Sequence, residues 1–399
     1  MNPESPGQPR VAFFADSFHE VNGVALTSRQ FDAYARRRQK PFLSVHVGPH
    51  RLLRTDGSVV TCELERGPAA FPIEHDMSFD PLFFRHKKRA ISILSDFEPD
   101  LIHITGPSDI GMLGASLAHE LEIPLVASWH TNLHEFGAKR LAKLMSFLPD
   151  SPREGMADLA ERSILNTCAW FYGRAQVLMA PNQELVDLLS GLTGKPTFLM
   201  QRGADTVLFD PKKRSQLDGE FTLGYVGRVT PEKGVRFLVE VERALLDSGQ
   251  SNFRFLIVGD GSEREWLEAN LTHAHFTGVL KGEALAQAYA DMDLFLFPSQ
   301  TDTFGNVVLE AFASGVPVVV TNSGGPKFLV EQGVTGFVGE DETSFLDAVK
   351  TLISHRELHR AMCIAAREYA LSLSWDGVFD KVYATYRYTL NQEALPVAS

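Results

Sequence analysis

Short, almost uninterrupted apolar runs alternate with longer segments of helical period through most of this chain. That alternation limits the fold more than any other feature. Val11–Ala15 reads as a buried strand, as do Phe42–Val47, Leu101–Ile104, Leu125–Ser128, Val177–Ala180 and Thr197–Met200. After Asp210 the series restarts with Phe221–Val226, Phe253–Val258, Leu294–Phe297 and Val316–Val320. Strands that are apolar on both faces and separated by helices belong to parallel sheets covered on both sides. The restart predicts an α/β chain of two doubly wound, parallel-sheet domains. The polar join Arg202–Lys213, with Gly203 and Pro211, divides them. The expected domains are residues 1–205 and 206–374, with a C-terminal segment over 375–399. In that segment Val378, Val382, Tyr383, Tyr386 and Leu390 share one stripe of a helix over Trp375–Leu390.

Composition removes several functions. Among 399 residues, 38 Lys and Arg face 50 Asp and Glu, a net charge of −12. Such a chain is a poor candidate for a general nucleic-acid binder, whose footprint is a strongly basic face, although local basic patches remain open. Cys62, Cys168 and Cys363 are odd in number and far apart, which gives no disulfide framework or zinc spacing and points to a reducing compartment. The first ten residues are polar, and no apolar run approaches the length of a membrane span. The expectation is a soluble, cytoplasmic protein.

In open α/β sheets, ligands gather at the carboxyl ends of strands. Three post-strand loops are therefore informative. Asp16–Val24 (D-S-F-H-E-V-N-G-V) leads into a helix, and Gly23 lets the backbone approach an anion there. It is not a dinucleotide fingerprint. Tyr225–Gly234 (Y-V-G-R-V-T-P-E-K-G) puts Gly227 at a strand end, followed by Arg228 and Lys233, two cations suited to a diphosphate. Pro298–Val320 holds Asp302 in a polar loop, then a helix from near Gly305 that carries Glu310 and stops at Gly315. The amides of Phe304, Gly305, Asn306 and Val307 would open that helix toward phosphate, and Glu310 could accept ribose hydroxyl protons. Ser323–Gly325 could form a further anion-facing turn, whereas Gly259–Gly261 reads as a plain turn. His130 directly follows a strand and is a candidate ligand contact. His130 and His134 are spaced i, i+4 without a third ligand, so no metal is expected there. Asp291 and Asp293 precede a strand and read as structural, leaving no expected metal site.

Together these loops resemble retaining glycosyltransferases of family 4, with the GT-B fold, over nearly the whole chain. The matching residues are N-G-V at 22–24, D-L-I-H at 100–103, S-W-H-T at 128–131, G-R-V-T-P-E-K-G at 227–234 and I-V-G-D-G at 257–261. The family's E-x7-E appears here as D-x7-E, with Asp302 in place of the first Glu. The resemblance implies two Rossmann-like domains facing a cleft, with the C-terminal helix crossing back to the first. It implies that Arg228 and Lys233 hold the donor diphosphate and Glu310 the ribose. Asp302 and the amides of Phe304–Val307 would hold sugar hydroxyls and phosphate, His130 the sugar, Gly23 and Gly227 the phosphates, and backbone near Val279 and Lys281 the base. The implied reaction moves a hexose from a nucleoside diphosphate sugar to a lipid or glycan acceptor, without a metal or other cofactor. GDP-mannose is the first donor by resemblance, then a UDP-hexose. An epimerase or hydrolase of the same fold and a non-catalytic sugar-nucleotide sensor are the alternatives. Arg85-His86-Lys87-Lys88-Arg89, inside an expected helix over Pro81–Phe97, and a second basic stretch at Lys139–Leu148 suit an anionic membrane surface.

Overall fold

The computed structural model describes residues 8–20, 22–74, 77–130, 150–215 and 219–393. The chain divides into two compact units. Unit 1 runs to Gln201 and resumes at Val378, and unit 2 is Arg202–Gly377. The stretch Lys139–Leu148 and His134 lie outside the described residues.

Unit 1 contains strands β1 (Val11–Ala15), β2 (Phe42–Gly48), β3 (Leu52–Asp56), β4 (Val59–Glu65), β5 (Phe71–Glu74), β6 (Met77–Phe79), β7 (Leu101–Ile104), β8 (Leu125–Ser128), β9 (Val177–Ala180) and β10 (Thr197–Leu199). Its helices are α1 (Gly23–Arg37), α2 (Lys87–Phe97), α3 (Asp109–Glu120), α4 (Asp150–Tyr172) and α5 (Gln183–Thr193). The main sheet has the order β10-β9-β8-β7-β1-β2-β4-β3, parallel except for β3. All five residues of β1 are buried, as a strand covered on both faces requires. From β1 the chain first builds outward through β2 and then returns to β7 on the other side of β1. The carboxyl ends of β1 and β7 therefore flank a topological switch point, where open α/β sheets bind ligands.

Unit 2 contains β11 (Phe221–Val226), β12 (Phe253–Val258), β13 (Ala274–Gly278), β14 (Leu294–Phe297), β15 (Val318–Thr321) and β16 (Gly336–Gly339). Helices α6 (Phe237–Asp247), α7 (Arg264–Asn270), α8 (Gly282–Ala290), α9 (Asn306–Ala313), α10 (Glu342–Ser354) and α11 (Arg356–Ser372) accompany them. The order β13-β12-β11-β14-β15-β16 is parallel throughout. Its switch point lies between β11 and β14.

The last helix, α12 (Trp375–Glu393), begins in unit 2, and from Val378 its residues belong to unit 1. Val378, Phe379, Val382, Tyr383 and Tyr386 are buried. Phe379 stacks on Phe31 of α1 with ring centres 4.4 Å apart, and Tyr34 donates a 2.6 Å hydrogen bond to Asp380. Such aromatic pairs add about 0.5–1.5 kcal/mol beyond buried area.

Two expected elements start differently, and one hairpin was not expected. The helix expected over Pro81–Phe97 is a 3-10 turn, Phe83–His86, followed by α2. Asp80 Oδ1 accepts the Leu82 amide at 2.9 Å and holds the chain in a tight turn first. The strand expected from Val316 starts at Val318, because Pro317 has no N–H for the ladder. The hairpin β3–β4 was not expected, although Asp56-Gly57 is a hairpin signal and Gly57 has φ +59°. Among the described residues no helix is long and apolar enough to cross a membrane.

Candidate active site

The loops after β11 and β14 meet across the switch point of unit 2. Nζ of Lys233 lies 2.8 Å from both carboxylate oxygens of Asp302. Ser299 Oγ donates to the same carboxylate at 2.5 Å. Both loops are shaped by close backbone packing. Gly234, with φ +66°, lies where a Cβ would come 2.5 Å from the carbonyl oxygen of Pro298. Gly325 fits against the carbonyl of Thr303, and its amide donates to Asp302 O at 2.6 Å. The Ser323–Gly325 turn thus braces the Asp302 loop, with the Gly325 N–H turned to protein and not toward an anion. Beneath the first loop, the buried Tyr225 donates to Arg228 O at 2.7 Å. The Arg228 side chain is half exposed, with Glu232 at 3.6 Å.

Arg202 was missed by the sequence reading. It is 6% exposed, donates to Asn306 Oδ1 at 3.0 Å and faces the Phe304 ring at 5.5 Å. Its Nε is buried and finds no acceptor among the described residues. Burial lowers the guanidinium pKa to about 10, opposed by the charge of Asp302, so it stays a cation.

Glu310 lies on α9, past the first turn. Tyr289, fully buried on α8, donates to its Oε2 at 2.8 Å. Burial pushes the Glu310 carboxyl up to about 7; the Tyr289 bond opposes the shift and the charge of Asp205 adds to it. The amides of Asn306 and Val307 lie in the first turn of α9, where N–H groups have no intrahelical acceptor, and Phe304 and Gly305 lead into it. Gly305 begins the helix with φ +89°. Val279 and Lys281 follow β13, and Val279 is 63% exposed.

Asp291 and Asp293 serve the fold. Asp293 holds Arg214 at 2.7 Å and the Thr222 amide at 2.8 Å, and Asp291 accepts from the Ser215 amide and hydroxyl.

In unit 1, His130 is buried and within 2.8 Å of Ser128 Oγ. The same hydroxyl meets His103 Nε2 at 2.9 Å, and His103 Nδ1 meets Tyr386 of α12 at 2.6 Å. Burial drives the His103 pKa down to about 3, so the chain is carried by a neutral imidazole. At the unit 1 switch point, Asp16 accepts from Ser108 Oγ at 2.5 Å, and burial, with Asp109 nearby, raises it to about 7. Gly23 opens α1, whose cap is Asn22 accepting from the Ala25 amide at 2.9 Å.

Sequence comparison gives this geometry its context. The family description "Glycosyltransferase Family 4" matches residues 20–208, and "Glycosyl transferases group 1" matches residues 220–355. A GDP-mannose-dependent alpha-mannosyltransferase of Mycobacterium tuberculosis is 32% identical over 94% of this chain and 96% of its own. The chain belongs to the family 4 glycosyltransferases. A Mycolicibacterium smegmatis protein of the same description is 32% identical over 78% of this chain and 80% of its own. Sucrose-phosphate synthase from Thermosynechococcus elongatus superposes with a TM-score of 0.71 at 20% identity, covering 96% of this chain and 99% of that one. The fold is GT-B, built of two parallel-sheet α/β units. Membership of a transferase family leaves the epimerase, hydrolase and sensor readings without support.

Of the residues that this family resemblance singled out, Lys233 and Asp302 are in direct contact, with Arg228 on the Lys233 loop and the Phe304–Val307 amides on the Asp302 loop. Glu310 sits apart from that pair, in contact with Tyr289. Gly23 and His130 belong to unit 1. Asp302 reaches Lys233 with both oxygens despite being shorter than Glu.

Proposed function

We propose that this glycosyltransferase moves mannose from GDP-mannose to a hydroxyl of a lipid or glycan acceptor with retention. The Lys233–Asp302 pair across the unit 2 switch point carries this reading, together with the description of the relatives. A donor diphosphate brings negative charge to a place where Lys233, Arg228 and the α9 amino end already supply positive charge. As the bond from the sugar's anomeric carbon to the diphosphate breaks, charge grows on the leaving oxygen. Preorganised donors aimed at such charge are worth far more than in water. Arg202, held behind Phe304 and Asn306, adds to the field without moving. Asp302 is then freed to accept sugar hydroxyls, and Glu310, when ionised, to accept from the ribose. The acceptor oxygen bonds to the anomeric carbon on the face the diphosphate leaves, and its proton passes to a diphosphate oxygen. By resemblance to the family, His130 is assigned to the sugar, Gly23 and Gly227 to the phosphates, and Val279 and Lys281 to the base. No metal is needed on the donor side.

Docking to an anionic membrane is the finer part of the proposal. Leu82 and Phe84 are 58% and 51% exposed beside Arg85 and Lys88. Against it, Arg85 is paired with Asp80 and Lys87 with Glu120, each at 2.5 Å, and Arg89 donates to Leu52 O. Lys88 is the cation left to carry the contact, with Arg85, Lys87 and Arg89 contributing partly neutralised charge.

A donor panel read by mass spectrometry, with and without a lipid extract, tests the reading. GDP-mannose consumption that depends on acceptor and persists in excess chelator is expected. Use of UDP-glucose in preference to GDP-mannose would overturn the donor. Co-sedimentation with anionic vesicles that is lost in Lys88→Glu supports docking, and absence of wild-type binding at low salt removes it.

A further inference from the structure

Three potential ligands converge in unit 1 from segments far apart in sequence. β2 and β4 run parallel in a register that sets His46 opposite Glu63, near the carboxyl ends of both strands. Ala15, the last residue of β1, is opposite His46 on the other side. The loop leaving β1 therefore starts at the same level and brings His19 to the pair. His19 Nε2 lies 3.5 Å from Glu63 Oε2, and one ligand atom from each of the three residues lies within 4.8 Å of the others. Two ligands on a tetrahedral ion at ~2.0–2.1 Å are themselves ~3.3–3.4 Å apart. The His19–Glu63 edge already has that spacing, and the half-exposed His19 side chain has room to adjust toward His46.

The surroundings hold the three side chains in place. His46 and Glu63 are 1% and 7% exposed. His46 Nδ1 meets Ser44 Oγ at 3.3 Å, which leaves Nε2 as its ligating nitrogen. Glu63 Oε1 accepts the His50 amide at 3.0 Å, which leaves Oε2 for the cluster. Outer contacts of this kind fix the orientation of metal ligands. Phe18 stacks flat on His46, ring centres 3.8 Å apart and planes at 4°, and locks the imidazole. Among the described residues Glu63 has no Lys or Arg partner; its ion-pair neighbour is His19.

We propose that His19, His46 and Glu63 bind a divalent transition metal of the zinc class, with the fourth position open on the His19 side. Two imidazoles and one carboxylate suit zinc and its neighbours, whereas magnesium and calcium require oxygen-rich shells. Three protein ligands leave a position for water or for an anionic oxygen of a ligand, at the strand ends where this kind of sheet binds its ligands. The site shares no residue with the donor machinery and does not rest on the donor reading.

The test uses the full chain, stripped with chelator, exchanged into chelator-free buffer and titrated with cobalt(II). One equivalent of cobalt should produce visible d–d bands that zinc abolishes. His19→Ala, at an exposed position and with fold checked by near-ultraviolet circular dichroism, should weaken binding by more than about 100-fold. Glu63→Gln should do the same. Absence of d–d bands in the wild type, or bands unchanged in His19→Ala, overturns the proposal and leaves the His19–Glu63 contact as an ordinary ion pair.

Discussion

The two units carry the same kind of sheet but brace their strand-end loops by different means. In unit 2 the loops are wedged backbone against backbone. Gly234 packs on Pro298, Gly259 on Gly227 and Gly325 on Thr303, each too closely for a Cβ. In unit 1 a single such wedge among the described residues, Gly111 on the Gly106 carbonyl, is joined by a set of side-chain ties. Ser108 holds Asp16, Glu20 accepts from Ser17 and the Phe18 amide, and Asn22 bonds Ser17 and caps α1. Backbone wedges leave little freedom, which fits the donor site proposed for unit 2. Side-chain ties can be exchanged one at a time. The units also share a trait: each holds one carboxyl, Asp16 or Glu310, at about 7.

The sharpest test of this contrast is Lys233→Ala. Removing a preorganised donor costs about 10²–10³ in rate, or about 3–4 kcal/mol. Steady-state kinetics should show that loss in kcat, while Asp16→Asn in unit 1 costs less; equal losses would dissolve the contrast. Next in size is Glu310→Gln. In the folded chain Glu310 ionises near 7, against 4.5 ordinarily. Its protonated form stabilises the fold below pH 4.5, and that contribution, about 3 kcal/mol, is lost as pH rises through 7. Glu310→Gln should therefore be inactive yet more stable than wild type at pH 8, with the gap vanishing near pH 4.5 in urea titrations. Over the same range, donor affinity of the wild type should rise as the carboxylate forms.

Gly325→Ala should cost about 2–3 kcal/mol, because the new methyl meets the Thr303 carbonyl. Thermal unfolding with and without GDP reads both the loss and its effect on the donor loop. Ser108 also caps α3 by accepting the Gly111 amide at 3.1 Å, so Ser108→Ala should cost about 1 kcal/mol, the ordinary value of a helix cap. If Ser108→Ala proved the worse of the two, the assignment of rigidity to unit 2 would fail.

What was readable in the sequence follows the same division. Arg228, Lys233, Asp302 and Glu310 stand out because strand, glycine and helix signals fix their places locally. Seven of the expected strands match to the residue: Val11–Ala15, Leu101–Ile104, Leu125–Ser128, Val177–Ala180, Phe221–Val226, Phe253–Val258 and Leu294–Phe297. Arg202 was read as part of a polar join, because its contact with Asn306 lies 104 residues away and leaves no local trace. His46 and Glu63 were invisible for a related reason. They meet only through the β2–β4 pairing, and β4 itself alternates polar and apolar residues instead of forming an apolar run. The short edge strands β13 and β16 carry few apolar residues and gave no signal.

The division of α12 between the units has a consequence for the birth of the molecule. Unit 2 is continuous and can close as soon as it leaves the ribosome. Unit 1 cannot, because Phe379, Tyr383 and Tyr386 fill its interior against Phe31, Tyr34 and His103. That helix is made almost 180 residues after Gln201, a delay of ~10–40 s at ~5–20 residues per second. During that interval the nascent first half carries an aromatic groove waiting for its last piece.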